Sequence, residues 1–485
     1  MSDRTIPRRK VVALLSTIGI GGWLGYTPGR GNAASLAAST SLGSTVRANV
    51  SVRLDRDKPG VTLTSRFVGL SYEKDKLGQP MFTADNGALL RLCRLLGPGV
   101  LRIGANAVDR CVWLGAIPGL MPIQPAMVDA LAAFAKQTGW QVIYGINLAN
   151  NTTALAAAEA AYAARVLGDQ LLAFEIGNEP DLYAHNGYRP MSWRYDDFLS
   201  EWRAMAEAIT AAAPSARLAG PAAASFATEF ALPFARDAAA QISLVTQHYY
   251  RADGRDPGST LDLLLRDDPA LAGELRHISQ AVRDNNLPLG WRMAECNSFF
   301  NGGAPHISNA YGTALWVIDF MFQCALNGCN GVNLHGGGHG PGYTPIADDN
   351  GGVVEVRPVY DGLLLFALGA QGTSVRGVIE GSPHLRVNAY GTLREDGGVN
   401  VVMINKEAET AVDAQLTLGQ SASTLESFWL TGAALAATSG QTLNNAIVSA
   451  DGSWSPHNQT MVPITAQTTL IHMPPASAVL LRSRS

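Results

Sequence analysis

The chain has 485 residues, 47% hydrophobic and 16% charged, the balance of a globular protein with a large core, so disordered, collagen-like and coiled-coil readings are excluded. Its 36 basic residues stand against 40 acidic ones, and the first 34 positions hold five of the former and one of the latter; residues 35–485 therefore carry a net charge of about −8. That sign is wrong for a general nucleic-acid binder. No run of Lys and Arg is present to grip a highly sulfated polyanion.

The N-terminus reads as an export signal rather than as fold. Arg8, Arg9 and Lys10 precede an apolar run over 11–26, and small residues follow around Asn32-Ala33-Ala34-Ser35, the order of charged region, apolar region and cleavage site. The adjacent arginines match the twin-arginine route. A membrane span needs ~20 apolar residues, whereas this run is shorter and contains Ser16, Thr17 and four glycines. Residues 1–34 are thus expected to be removed, leaving no stable membrane span and a periplasmic or extracellular product.

Residues 46–54 alternate apolar and polar side chains, a strand pattern. From about 66 to 334, short apolar runs alternate with longer helical stretches, the signature of a parallel sheet with crossover helices. Eight candidate strands fall at 67–72, 100–103, 141–147, 171–177, 216–220, 242–249, 290–294 and 331–334, with helices between them at 128–137, 154–167, 195–212, 261–284 and 309–327. Eight such units in roughly 270 residues match a (β/α)8 TIM barrel; a doubly wound dinucleotide fold lacks support, because no GxGxxG follows the first strand. Beyond about 366, short alternating segments separated by turn pairs such as Asp396-Gly397 and Asp451-Gly452 read as an antiparallel β-sandwich. The expected architecture is an N-terminal strand over 45–60 that joins the sandwich, a barrel over 61–352 and a C-terminal sandwich over 353–485.

Two carboxylates stand where barrel enzymes place their chemistry, at the C-terminal ends of strands. Glu179 follows the fourth candidate strand in Glu175-Ile176-Gly177-Asn178-Glu179-Pro180, and Glu295 ends the seventh in Trp291-Arg292-Met293-Ala294-Glu295. Each alone is ordinary as a salt-bridged rim residue. Strands four and seven face each other across the mouth, and a glycosidase that retains anomeric configuration needs two carboxyl groups ~5–5.5 Å apart. The five cysteines, Cys93, Cys111, Cys296, Cys324 and Cys329, are too few and too scattered for a disulfide framework or a metal site, though one disulfide stays open. No metal or other cofactor is expected.

At this point the sequence resembles the clan A glycoside hydrolases, with Asn-Glu after strand four, Glu after strand seven and a His-x-Tyr signal in His248-Tyr249-Tyr250. It is most similar to glycoside hydrolase family 79, the β-glucuronidase and heparanase family. That likeness rests on Gly69-Leu70-Ser71-Tyr72-Glu73, Leu101-Arg102-Ile103-Gly104, the Glu179 and Glu295 segments, Gly342-Tyr343 and the sandwich with its N-terminal strand.

The resemblance implies Glu179 as general acid/base, Glu295 as nucleophile, Asn178 as a ligand of the sugar 2-hydroxyl and Tyr250 as a donor to Glu295. It also implies that main-chain and tyrosine donors at Gly342 and Tyr343, in the loop after strand eight, hold the sugar carboxylate; glycine lets backbone N–H groups approach an anion closely. Glu73 would meet sugar hydroxyls, or donate to a carboxylate when protonated, its ordinary alternative being an ion pair near Lys74 or with Arg102. Arg102 itself is equally a structural ion-pair partner, Asn147 reads as a strand-end turn residue, and Cys296 as a packed thiol.

The expected activity is exo removal of terminal β-glucuronic acid from glycosides or unsulfated oligosaccharides, because sulfated chains call for flanking Lys and Arg and the whole chain contains six lysines. Open alternatives are a clan A β-glucosidase or β-xylosidase, a heparanase- or hyaluronan-type endo-glucuronidase, and a polysaccharide-binding protein with an inactive barrel. The sequence does not determine the oligomeric state.

Overall fold

The computed structural model describes residues 46–224, 228–419, 424–456 and 460–483; the proposed export signal lies outside them. Eight parallel strands close into a barrel in sequence order: Val68–Glu73, Val100–Gly104, Gln141–Ile146, Leu171–Ile176, Leu218–Ala223, Leu244–Tyr250, Trp291–Asn297 and Val332–Gly336. They form because each is an almost unbroken run of buried residues, as strands covered by helices on one side and by the barrel interior on the other must be.

Local signals fix the helices between them. Thr152 caps Thr153–Leu167 by accepting from the Leu155 N–H, Pro125 opens Pro125–Thr138, and Gly139 closes it at φ 73°, the left-handed geometry glycine adopts without strain. The helix expected over 261–284 is broken into Leu261–Leu265 and Leu271–Asp284. Pro269 lies in the gap, and proline disfavours helical geometry at the residue before it.

The sandwich is a ten-stranded sheet bent over its own core of Val50, Val52, Val375, Val401, Met403, Leu416 and Leu481, among others. The strand Val46–Leu63 pairs with Gly372–Glu380 antiparallel and with Thr410–Thr417 parallel, so the first and last described strands, Val46–Leu63 and Ser477–Ser483, enter one sheet. It runs further than the alternation indicated, through Pro59, where the register slips twice; a bulge accommodates a residue that has no N–H to pair. The helix Pro358–Gly369 packs on Gly312–Leu326 and completes the last barrel unit. The sandwich therefore takes up at Gly372 rather than at 353, since an apolar helix opened by Pro358 continues the barrel pattern. Phe322 stacks on Tyr390 at 4.7 Å between ring centroids, and buried Lys406 donates to Asp319 at 2.8 Å, which ties barrel to sheet.

Candidate active site

The mouth of the barrel is organised by one buried cation. Arg102, fully buried on the second strand, donates from Nε to Glu175 (2.6 Å), from Nη1 to Glu295 (2.7 Å) and Ser71 Oγ (3.2 Å), and from Nη2 to Asn178 Oδ1 (2.8 Å). A planar guanidinium with five donors satisfies four acceptors from three strand ends at once, which a lysine cannot do. Because Asn178 Oδ1 is taken, its amide NH2 turns toward Asn106 Oδ1 at 3.3 Å and offers donors rather than acceptors.

Glu179 is presented by backbone shape. Gly177 turns the chain at φ 82°, and Glu179 holds left-handed geometry at φ 50°, ψ 53°, with its N–H donating to Ala222 O at 2.8 Å. A non-glycine residue in that region costs of order 1 kcal/mol or more, which the surrounding structure must offset. Buried Asp109 braces the neighbourhood by accepting from the Leu148 and Ala149 N–H groups and from the Tyr183 hydroxyl. Opposite, the seventh strand continues to Asn297 rather than ending at 294, with a register slip between Met293 and Glu295 that places Glu295 Oε1 2.9 Å from the donating Tyr250 hydroxyl. An oxygen of Glu179, an oxygen of Glu295 and a ring nitrogen of His248 all lie within 4.8 Å of one another.

The two carboxyls have opposite electrostatics. Burial and then the charge of Glu295 push Glu179 well above the usual carboxylate range. Burial also opposes ionisation of Glu295, but nearby His335, His248 and Arg102 and the Tyr250 hydroxyl more than offset it and hold the group below its ordinary value. Burial lowers both histidines, His248 to about 4, so near neutral pH the stabilisation comes from Arg102 and Tyr250. The arrangement biases one carboxyl toward the protonated form and its neighbour toward the ionised form, a division of labour suited to acid and nucleophile.

Glu73 ends the first strand with its Oε2 accepting from Ala107 N–H at 2.6 Å, and its side chain is 27% exposed. Neither ion pair considered for it forms: Lys74 turns away to Glu159, and Arg102 is engaged elsewhere. Burial, and next the charge of Glu295, push Glu73 up to about 8. His335, from strand eight, lies between these groups, 3.9 Å from Glu73 and from Glu295 and 3.2 Å from Ser71 Oγ. Tyr343 packs against Tyr250 and His335, with ring centroids 5.9 and 5.8 Å away.

Gly342 departs from expectation. Its N–H donates to Gly340 O at 2.7 Å and that of Tyr343 to Gly302 O at 3.2 Å, so both main-chain donors are engaged within the protein, and the Tyr343 hydroxyl is the remaining donor of that segment. A Cβ on Gly342 would meet Gly302 O at 2.0 Å, so glycine is required for the close approach of two loops.

Six sequence-derived residues, Glu73, Asn178, Glu179, Tyr250, Glu295 and Tyr343, thus converge on one mouth. Asn147 stays out of it, bonding Cys111 O and Asn150, and Cys296 is a buried free thiol against Asn333 O. Sequence reasoning missed the central place of Arg102 and the contributions of His335, Ser71, Glu175 and Asn297. Each is a polar side chain buried on a barrel strand, a pattern that marks an interior network.

No protein-family profile matches the chain. It is 28% identical over 305 residues to a β-glucuronidase of Aspergillus niger, covering 57% of this chain and 55% of the relative. It is 28% identical over 218 residues to a β-glucuronidase of Neurospora crassa, covering 40% and 39%. The chain thus matches about half the length of the first relative and less of the second. Among solved structures, a 4-O-α-L-rhamnosyl-β-D-glucuronidase from Fusarium oxysporum superposes with a TM-score of 0.72 at 19% identity, covering 90% of this chain and all of that one. A family 51 α-L-arabinofuranosidase from Bifidobacterium longum gives 0.66 at 14%, covering 90% and 100%. These two likenesses show the fold. In sequence the chain is thus similar to two β-glucuronidases, and in fold to a rhamnosyl-β-glucuronidase and an arabinofuranosidase.

Proposed function

We propose that the protein is a retaining exo-β-glucuronidase that releases terminal β-D-glucuronic acid from glycosides or unsulfated oligosaccharides. The observation that carries this reading is the pair of carboxyls, Glu179 and Glu295, with oxygens within 4.8 Å and opposite protonation biases. Inverting enzymes keep the pair ~6.5–9.5 Å apart to admit a water between carboxyl and sugar. In the first step ionised Glu295 attacks the anomeric carbon while Glu179 gives its proton to the departing glycosidic oxygen. Glu295 is then esterified, the negative neighbour of Glu179 is gone, and Glu179 becomes a carboxylate able to take a proton from water as that water opens the ester.

Asn178 is assigned to the 2-hydroxyl, where a hydrogen bond strengthens as the oxocarbenium-like transition state forms. Arg102 is already matched to Glu175 and Glu295, so a substrate carboxylate is received here by neutral donors, the Tyr343 hydroxyl and protonated Glu73. The β-glucuronidase relatives support the sugar assignment, and the absence of a Lys/Arg run in the sequence supports unsulfated substrates.

The test is kcat/KM on p-nitrophenyl β-D-glucuronide beside the matching β-glucoside and β-xyloside. Clear preference for the glucuronide supports the reading; preference for a neutral sugar moves the enzyme elsewhere in the clan, and no turnover of any, with sugar binding retained, favours a binding protein. Export is proposed from the N-terminal order of charge, apolar run and small residues; N-terminal sequencing of secreted protein should begin near Ser35, and wholly cell-retained, unprocessed chain would refute it.

A further inference from the structure

Five of the eight residues in 336–343 are glycine, and glycine-rich chain has more conformational freedom to lose than any other. Left to itself this loop would not hold the Tyr343 hydroxyl at a fixed place beside Glu295. The holding group comes from outside it. Arg357, 2% exposed, donates from Nη1 to Gly342 O at 2.7 Å and from Nη2 to His339 O at 3.0 Å. Its backbone N–H donates to Pro345 O at 3.0 Å, and it stands immediately before the helix Pro358–Gly369. The fork is thus anchored at the start of a largely buried helix at the barrel–sandwich junction.

The peptide unit joining Gly342 to Tyr343 is then gripped at both ends, its carbonyl by Arg357 and its N–H by Gly302 O, while Asn297 Nδ2 donates to Tyr343 O at 3.0 Å. Among the described residues the one carboxylate paired with Arg357 is Glu355, at 3.0 Å and with a half-exposed side chain. The Nε side of the guanidinium is thus tied to Glu355, while its two Nη groups hold the loop carbonyls.

We infer that Arg357 is a positioning residue for recognition of the sugar carboxylate, acting through Tyr343; this rests on the glucuronidase reading above. Two carbonyls three residues apart are matched by the planar fork of arginine, and lysine, a point donor on a flexible stem, holds one at most. Loss of the fork leaves the Gly342–Tyr343 peptide without its carbonyl anchor, held through Gly302 O and Asn297 alone, without touching Glu179 or Glu295, so binding of the glucuronide weakens while the chemical step persists.

The experiment measures kcat and KM on p-nitrophenyl β-D-glucuronide for wild type, Arg357→Lys, Tyr343→Phe and the double variant, with thermal melting of each. Wild-type turnover comes first, since its absence overturns the glucuronidase reading and this inference with it. Given that turnover, Arg357→Lys should melt near wild type, raise KM by about tenfold or more and leave kcat within about threefold. In the Tyr343→Phe background the same substitution should add little, because both act on one contact. A wild-type KM, a fall in kcat alone, or full additivity overturns the inference while leaving the glucuronidase reading intact. If Arg357→Lys does not fold, Arg357→Gln takes its place under the same readings: a raised KM that adds little in the Tyr343→Phe background supports the inference, and a wild-type KM overturns it.

Discussion

Arg102→Met removes the cation around which the mouth is built. It deletes bonds of 2.6 and 2.7 Å to two buried carboxylates and one of 2.8 Å to Asn178. Breaking a buried ion pair from one side costs ~3–5 kcal/mol of stability, because the partner's charge is left uncompensated. The variant should lose about that much unfolding free energy near pH 7 and less at low pH, where the stranded carboxylates take up protons. For activity, one charge-assisted bond contributes ~1.5–3 kcal/mol, which converts to about a ten- to hundredfold loss of kcat/KM at the optimum. The acid limb of the kcat/KM profile, which the proposed mechanism assigns to ionisation of Glu295, should also move to higher pH, because a cation that lowers its pKa is gone. Urea unfolding at pH 5 and 7 together with the pH profile on the glucuronide checks all three effects. An unmoved acid limb with kcat within about twofold of wild type would refute the assignment of Arg102 as the charge partner of the nucleophile.

Four further outcomes are expected. Glu179→Gln should lower kcat/KM by about 10²–10⁴ on glycosides with poor leaving groups, less on p-nitrophenyl glucuronide, and added azide should restore release of the sugar; equal losses on all aglycones would remove it as the acid. Tyr250→Phe should raise the apparent pKa of the acid limb and lower kcat, since it deletes a 2.9 Å donor to Glu295; a profile superposing on wild type would contradict that. Glu73 is raised from 4.5 to about 8, so the native state binds its proton more tightly, and its contribution to stability, full below about pH 4.5, is lost as pH rises to about 8. Glu73→Gln should therefore gain in melting temperature relative to wild type across that window while losing affinity for glucuronide. Asp361, raised from 3.8 to about 7 by burial and held by Gln441 Nε2 at 2.7 Å, follows the same sign: Asp361→Asn should leave activity unchanged and melt higher than wild type at pH 8 than at pH 4, and a constant difference would show that the group does not titrate.

What the sequence makes legible is what lies along one strand. Unbroken apolar runs locate the barrel strands to within a few residues, and Glu179 and Glu295 could be paired because barrel topology brings strands four and seven together. Val46–Leu63 joins the sheet where its alternation indicated. Partnerships across strands are another matter. Arg102 looks equally suited to structure or ligand until Glu175, Glu295, Asn178 and Ser71 are seen around it. The loop after strand eight misleads for a similar reason: glycine marks a close backbone approach, but the approach is to Gly302 O of a neighbouring loop. Arg357 is distant from every motif, and its role follows from the direction of two carbonyls, which no pattern of residue types encodes.

The central claim, a glucuronide-specific double displacement at Glu295, is tested most directly by trapping the intermediate. Incubation with 2-deoxy-2-fluoro-β-D-glucuronyl fluoride, followed by intact mass and peptide mapping, should show one sugar adduct on the peptide containing Glu295, formed much more slowly with the neutral glucosyl analogue. Absence of an adduct from an enzyme that turns over the glucuronide, or an adduct on another carboxylate, would contradict the account.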